Sequence, residues 1–201
     1  MRTTDLSLLH PMMRAASLEL ESALAREKIP MRRFEGWRAP RDQADIYFSG
    51  RVPGFGVPGK FKTFAKPWNG RHQYGLAEDW VFFVHGVWTW VEPEKSMWDR
   101  YHVIAQTLDL TPLKFEQPHV QISGLQTSEL RAGHYPPLGD HTWEANLTAA
   151  IRLWGPETRL EHGITFQGAP PAPEGDDAER PDIEVPAGLV YDEEAGVCRP
   201  A

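Results

Sequence analysis

Apolar residues recur every three to four positions between Thr4 and Glu27, at Leu6, Leu9, Met13, Ala16, Leu20 and Ala23. That spacing predicts an amphipathic helix, with Pro11 at or near its start because proline is tolerated only in the first turn. M-R-R-F-E-G-W-R then reads as a short strand, and Pro40 with Asp42 and Gln43 as a helix opening that Gly50 stops. Three Gly and two Pro between Arg51 and Lys60 predict a loop. Asp79–Val84 and Val87–Val91 are aromatic and β-branched, and His85-Gly86 between them predicts a hairpin. Pro93–Leu110 reads as a helix with Trp98, Tyr101, Ile104, Ala105 and Leu108 on one face. Phe115–Ile122 reads as a strand, and Thr142–Trp154 as a closing helix. This order predicts a small α+β domain with a central antiparallel sheet flanked by helices.

The texture changes at Gly155. Seven of the 18 prolines lie beyond that point, with few large apolar residues. Residues 155–201 are therefore expected to be an acidic Pro/Gly-rich tail or linker following a domain of residues 1–154. Within the tail, residues 183–191 could dock as an extended strand on a protein partner.

Charge follows the same division. The chain carries a net −7, yet the tail alone holds eleven Asp/Glu against three Lys/Arg, so the first 154 residues are close to neutral. That balance offers no basic field for a phosphate backbone and argues against nucleic acid as partner. The lone Cys198 excludes a disulfide framework and a cysteine zinc knuckle. The sequence shows neither a signal peptide nor a membrane-spanning run, so synthesis as a soluble cytoplasmic chain is expected.

Four polar residues stand out against the apolar pattern. His72 and Asp79 lie in G-R-H-Q-Y-G-L-A-E-D, and Glu116 and His119 in F-E-Q-P-H-V-Q-I. Catalytic zinc takes three protein ligands from such residue types and keeps a position for water. His72, Asp79 and His119 would form that shell, leaving Glu116 as the base. Residues 116 and 119 of a regular strand would face opposite ways, but Pro118 between them removes a ladder donor and makes a break there. Spacing permits the site without demanding it. Trp68, Tyr74 and Trp80 could line a cleft or belong to the core. Glu78 is expected in solvent, opposite Asp79, and His10, His134, His141 and His162 are expected to be exposed. His85 would cap the hairpin and His102 would lie on a helix surface.

G-R-H-Q-Y-G-L-A-E-D resembles the S-x-H-x-x-G-x-A-x-D signature of the M15 family of zinc peptidases. That family holds D-Ala-D-Ala carboxypeptidases, VanX-type dipeptidases and phage L-alanyl-D-glutamate endolysins. E-Q-P-H-V-Q is similar to its second motif, and G-W-R-A-P-R-D-Q-A-D-I-Y-F-S-G-R and T-F-A-K to segments of its endolysin-like branch. The resemblance runs from about Leu8 to Ile122. It implies zinc bound by His72, Asp79 and His119, Glu116 as catalytic base, and Arg38 as a stabiliser of the developing oxyanion. Gln43 would have a supporting or substrate-binding role beside Tyr74. The implied substrate is the peptidoglycan stem peptide, cut at the L-Ala-D-Glu bond by an enzyme that reaches the wall after release or as part of a virion. The same four residues would equally serve a D,D-carboxypeptidase or dipeptidase, and the fold could serve a structural virion component as a binding module. Departures from the family pattern are Gly70 where it has serine, Pro67-Trp68 where it has two glycines, and no G-L-x-W-G-G before the second motif.

Overall fold

His10 opens the first long helix. Its ring Nδ1 accepts from the Met12 amide at 3.2 Å, and Pro11 fills the first turn, where no amide donor is needed. In the computed structural model, which describes residues 2–173, 189–192 and 197–200, the expected Thr4–Glu27 helix is therefore two elements. A 3-10 turn at Leu6–Leu8, capped by Asp5, precedes helix α1 (Pro11–Arg26). Helix α1 buries Met13 and Leu20, which its periodicity marks, together with Ser17 and Leu24, while Ala16 and Ala23 are half-buried.

The remaining elements include every expected one and add a 3-10 turn, a strand at Leu110–Leu113 and a short helix at Thr127–Arg131 that the pattern did not mark: β1 (Met31–Glu35), α2 (Pro40–Phe48), a 3-10 turn at Arg71–Tyr74, β2 (Ala77–Val84), β3 (Val87–Thr89) and α3 (Met97–Gln106). After them come β4 (Leu110–Leu113), β5 (Glu116–Ile122), α4 (Thr127–Arg131) and α5 (His141–Trp154). All sheet pairings are antiparallel, in the order β1-β2-β5-β4 with β3 also on β2. His85 and Gly86 both take positive φ, the backbone that a two-residue hairpin loop requires. Helices and aromatic side chains cover the sheet, and Trp68, Tyr74, Trp80, Tyr101 and Trp143 are fully buried.

Two polar residues expected in solvent are buried. Glu78 does point away from Asp79, as neighbours on a strand must, but α1 covers that second face. There Glu78 accepts from Ser17 Oγ at 2.6 Å and Trp80 Nε1 at 3.0 Å and pairs with Arg33 Nε at 2.6 Å. His10 is fully buried, edge-on to Trp143 at 4.6 Å. Burial lowers its pKa from 6.5 to about 4, against the raising influence of the Pro136 backbone and Asp140. Below pH 6.5 the unfolded chain takes up a proton that the folded chain refuses, so stability falls from there down to about pH 4. His10→Asn keeps a capping oxygen and removes the titration. Urea denaturation at pH 7.5 and 4.5 should show the wild type losing about 2–3 kcal/mol more than the variant. Equal losses would contradict the buried neutral ring.

The segment beyond Trp154 is not all linker. Strands β6 (Arg159–Glu161) and β7 (Ile164–Phe166) form a hairpin whose Phe166 is fully buried against Phe48 and Trp154. Arg41 to Glu161 at 2.6 Å and Lys66 Nζ to the Thr165 carbonyl at 2.9 Å tie it down. Average composition hid it because only a few side chains, Phe166, Ile164 and His162, carry its packing. Of the proposed docking strand, residues 183–188 lie outside the described residues. Residues 189–191 belong to β8 (Leu189–Asp192), which pairs with β9 (Val197–Pro200). Among the described residues, no helix is long and apolar enough to cross a membrane.

Candidate metal centre

Strand register builds the site. Glu35 stands opposite Asp79 across β1 and β2, and Asp79 opposite His119 across β2 and β5. Three strands thus bring an acid, an acid and an imidazole to one level of the sheet. The fourth residue arrives from outside it. His72 lies in the 3-10 turn before β2, which ends at Gly75 in the left-handed region. A side chain on Gly75 would meet the Leu8 carbonyl at 2.8 Å, so this close turn requires glycine.

His72, Asp79 and His119 each present one ligand atom to a common point. His72 Nε2 lies 3.4 Å from Asp79 Oδ1, His119 Nδ1 lies 3.2 Å from the same oxygen, and the two nitrogens are 3.2 Å apart. The outer nitrogens are occupied. His72 Nδ1 donates to the Gly36 carbonyl at 2.6 Å, and His119 Nε2 donates to Gln121 Oε1 at 3.2 Å. Those bonds assign the tautomers and leave the inner nitrogens as lone pairs. Two lone pairs and a carboxylate oxygen facing one another repel unless a cation or proton lies among them. Ligand atoms around tetrahedral zinc stand about 3.3 Å apart, which the three observed separations match. The donor set fits a zinc ion.

Arg38 locks the carboxylates. Its guanidinium donates to both Glu35 oxygens at 2.8 and 2.6 Å and to Gln43 Oε1 at 2.8 Å, and lies 3.5 Å from Asp79 Oδ2. Asp79 therefore turns Oδ2 to Arg38 and Oδ1 to the histidines. Burial pushes the Asp79 pKa up, but His72 and His119 outweigh it and hold the carboxyl far below its ordinary range. Burial likewise disfavours charged Arg38, and Glu35, Asp79 and Glu116 reverse that to a net rise.

Gln43 is a buried hub. Its Nε2 donates to the Ala65 carbonyl at 2.7 Å, and its Oε1 also accepts from Gln73 at 3.1 Å. It thereby joins T-F-A-K to Arg38 from a buried position. Gln73 Oε1 in turn accepts from the Gly70 amide at 3.3 Å. Tyr74 is fully buried with its hydroxyl on the Trp68 carbonyl at 3.0 Å. Its ring is part of the core beside the turn that carries His72.

Glu116 is set apart by the irregularity expected at Pro118. Pairing with β4 jumps from Val120 to Glu116, leaving Gln117, Pro118 and His119 out of that ladder. Helix α3 satisfies the freed carbonyls: Tyr101 donates to Pro118 O at 2.9 Å and His102 Nε2 to Gln117 O at 2.8 Å. His102 is thus a half-buried support for the bulge rather than a free surface residue. The bulge places exposed Glu116 on the wall of a cavity of about 410 Å³ that also contains Asp79, with Phe34, Trp90, Lys114 and Phe115 around them. Glu35, Gly36 and Gln121 were not singled out from sequence. Gln121 alone left a signal, being on the same strand face as His119, two residues away.

No protein-family model and no curated protein matches the chain. Among solved structures it is similar to the L,D-carboxypeptidase DacB from Streptococcus pneumonia, at 21% identity and a TM-score of 0.45 over 61% of this chain and 70% of that one. It is also similar to the LD-carboxypeptidase LdcB, at 17% identity and a TM-score of 0.44 over 61% of this chain and 62% of that one. A third is the Serratia marcescens L-Ala D-Glu endopeptidase ChiX, at 22% identity and a TM-score of 0.41 over 59% of this chain and 83% of that one.

Proposed function

We propose that the protein is a zinc peptidase that hydrolyses the peptide stem of bacterial peptidoglycan at the L-Ala-D-Glu bond. The observation that carries it is the convergence of His72 Nε2, Asp79 Oδ1 and His119 Nδ1 with every outward N–H already bonded. The choice of substrate and bond follows the motif resemblance that runs through G-W-R, D-Q, T-F-A-K and the two histidine segments. Zinc, when bound, supplies a Lewis acid that makes water acidic enough to attack near neutral pH. Glu116, on the cavity wall beside Asp79, takes the proton of the attacking water and returns it to the leaving amine. Arg38 has spent its fork on Glu35 and Gln43. Its contribution to a developing oxyanion is consequently that of a fixed positive charge rather than a new bidentate grip.

Purified protein should carry one zinc per chain and convert peptidoglycan to fragments with a new D-Glu amino terminus, read by mass spectrometry. Release of terminal D-Ala alone would overturn the bond assignment in favour of a carboxypeptidase. A metal-free protein inert on peptidoglycan would overturn the peptidase reading itself.

A further inference from the structure

The cavity that holds Asp79 and Glu116 has a second wall with no part in the chemistry above. Phe34 stands between two tryptophans, 5.1 Å from Trp88 and 5.2 Å from Trp90, both edge-to-face, with Arg2 stacked 4.2 Å over its ring. Trp90 is 52% exposed and Phe115, which lines the same cavity, 86% exposed. So much aromatic surface left in water beside a reaction centre marks a binding site. Its polar content is sparse but available. The Trp90 indole N–H and the Lys114 and Gln117 side chains hydrogen-bond to nothing among the described residues, and Lys114 forms no ion pair there.

Flat rings edged by a few donors without protein partners suit a ligand with apolar C–H faces and a rim of hydroxyls and amides, which describes an N-acetylated amino sugar. A lipid would leave the donors unmet, and a charged peptide would gain little from the rings. Chain geometry adds a constraint. In the wall stem, the first residue is joined directly to the muramyl sugar. A bond after that residue lies within about 7 Å of the sugar, whereas bonds at the far end of the stem lie more than about 13 Å away at roughly 3.5 Å per residue. Only cleavage near the glycan end brings sugar and scissile bond into one cavity.

Resting on the peptidase reading, we propose that Phe34, Trp90 and Phe115 form a subsite for the muramyl sugar attached to the stem's first residue. The shelf then selects glycan-linked stems over free peptides, and its closeness to Glu116 is the reason for cleavage at the glycan end.

The test compares a disaccharide tetrapeptide with the same tetrapeptide freed of sugar. For the zinc-loaded wild type, kcat/KM should favour the sugar-bearing substrate by roughly tenfold or more, and Trp90→Ala should bring that ratio near one. Calorimetric binding of both ligands to Glu116→Gln, with and without Trp90→Ala, separates the two claims. No cleavage by the wild type would sink the peptidase reading, yet sugar-dependent binding lost with Trp90 would still establish the subsite. Cleavage or binding of both ligands equally well overturns the subsite and leaves the peptidase reading standing. Binding of neither ligand overturns the subsite as well. Trp90 is half exposed and its removal leaves the core intact, so a folding defect does not cloud the result.

Discussion

Glu116→Gln should keep a full complement of zinc and lose roughly 100- to 10,000-fold in kcat/KM on peptidoglycan fragments, the usual worth of a positioned general base. The substitution preserves size and exposure and removes only the ability to take a proton. Metal content should be unaffected because Glu116 is not one of the three side chains whose ligand atoms cluster. No neighbouring carboxylate is free to substitute for it. Glu35 is held by two bonds from Arg38, and Asp79 is shared between Arg38 and the two histidines. Activity within twofold of the wild type in zinc-loaded variant would show that the proton is handled elsewhere.

The second large effect concerns stability. A ligand that binds only the folded chain adds about 4 kcal/mol when present at a thousand times its Kd, and in a domain of this size that moves Tm by roughly 10 °C. Chelation of the wild type should therefore lower Tm on that scale. His72→Ala should already sit near the chelated value and respond little to chelator or added zinc. His72 is 4% exposed and also donates to the Gly36 carbonyl, so its loss costs the folded state an internal bond as well. Differential scanning calorimetry of both proteins, with and without chelator, gives the answer. A wild-type Tm indifferent to chelator would mean that zinc is not coupled to this fold.

Much of this arrangement was legible along the chain because it depends on local periodicity. The three-to-four spacing of Met13, Ala16, Leu20 and Ala23 marks α1, His85-Gly86 marks the hairpin, and Pro118 marks the bulge that separates Glu116 from His119. Other features were not legible, for one physical reason: a polar residue's fate depends on what packs over it. Glu78 and His10 look like solvent residues until α1 and Trp143 cover them. Tyr74, which by sequence could line a cleft or belong to the core, is buried with its hydroxyl on the Trp68 carbonyl. Phe166 is diluted in a Pro-rich acidic stretch, yet its burial folds a hairpin onto the domain.

By itself, then, the sequence determined the main helices and strands of the first 154 residues and the kinds of side chain available for metal and proton chemistry, since both are properties of neighbouring residues. Only the tertiary structure decided which atoms of those side chains meet. The pairing of Glu35 with Asp79 and of Asp79 with His119 is a matter of strand register. The tautomers come from the Gly36 carbonyl and Gln121, partners separated from the ring nitrogens by chain distances that no local pattern encodes.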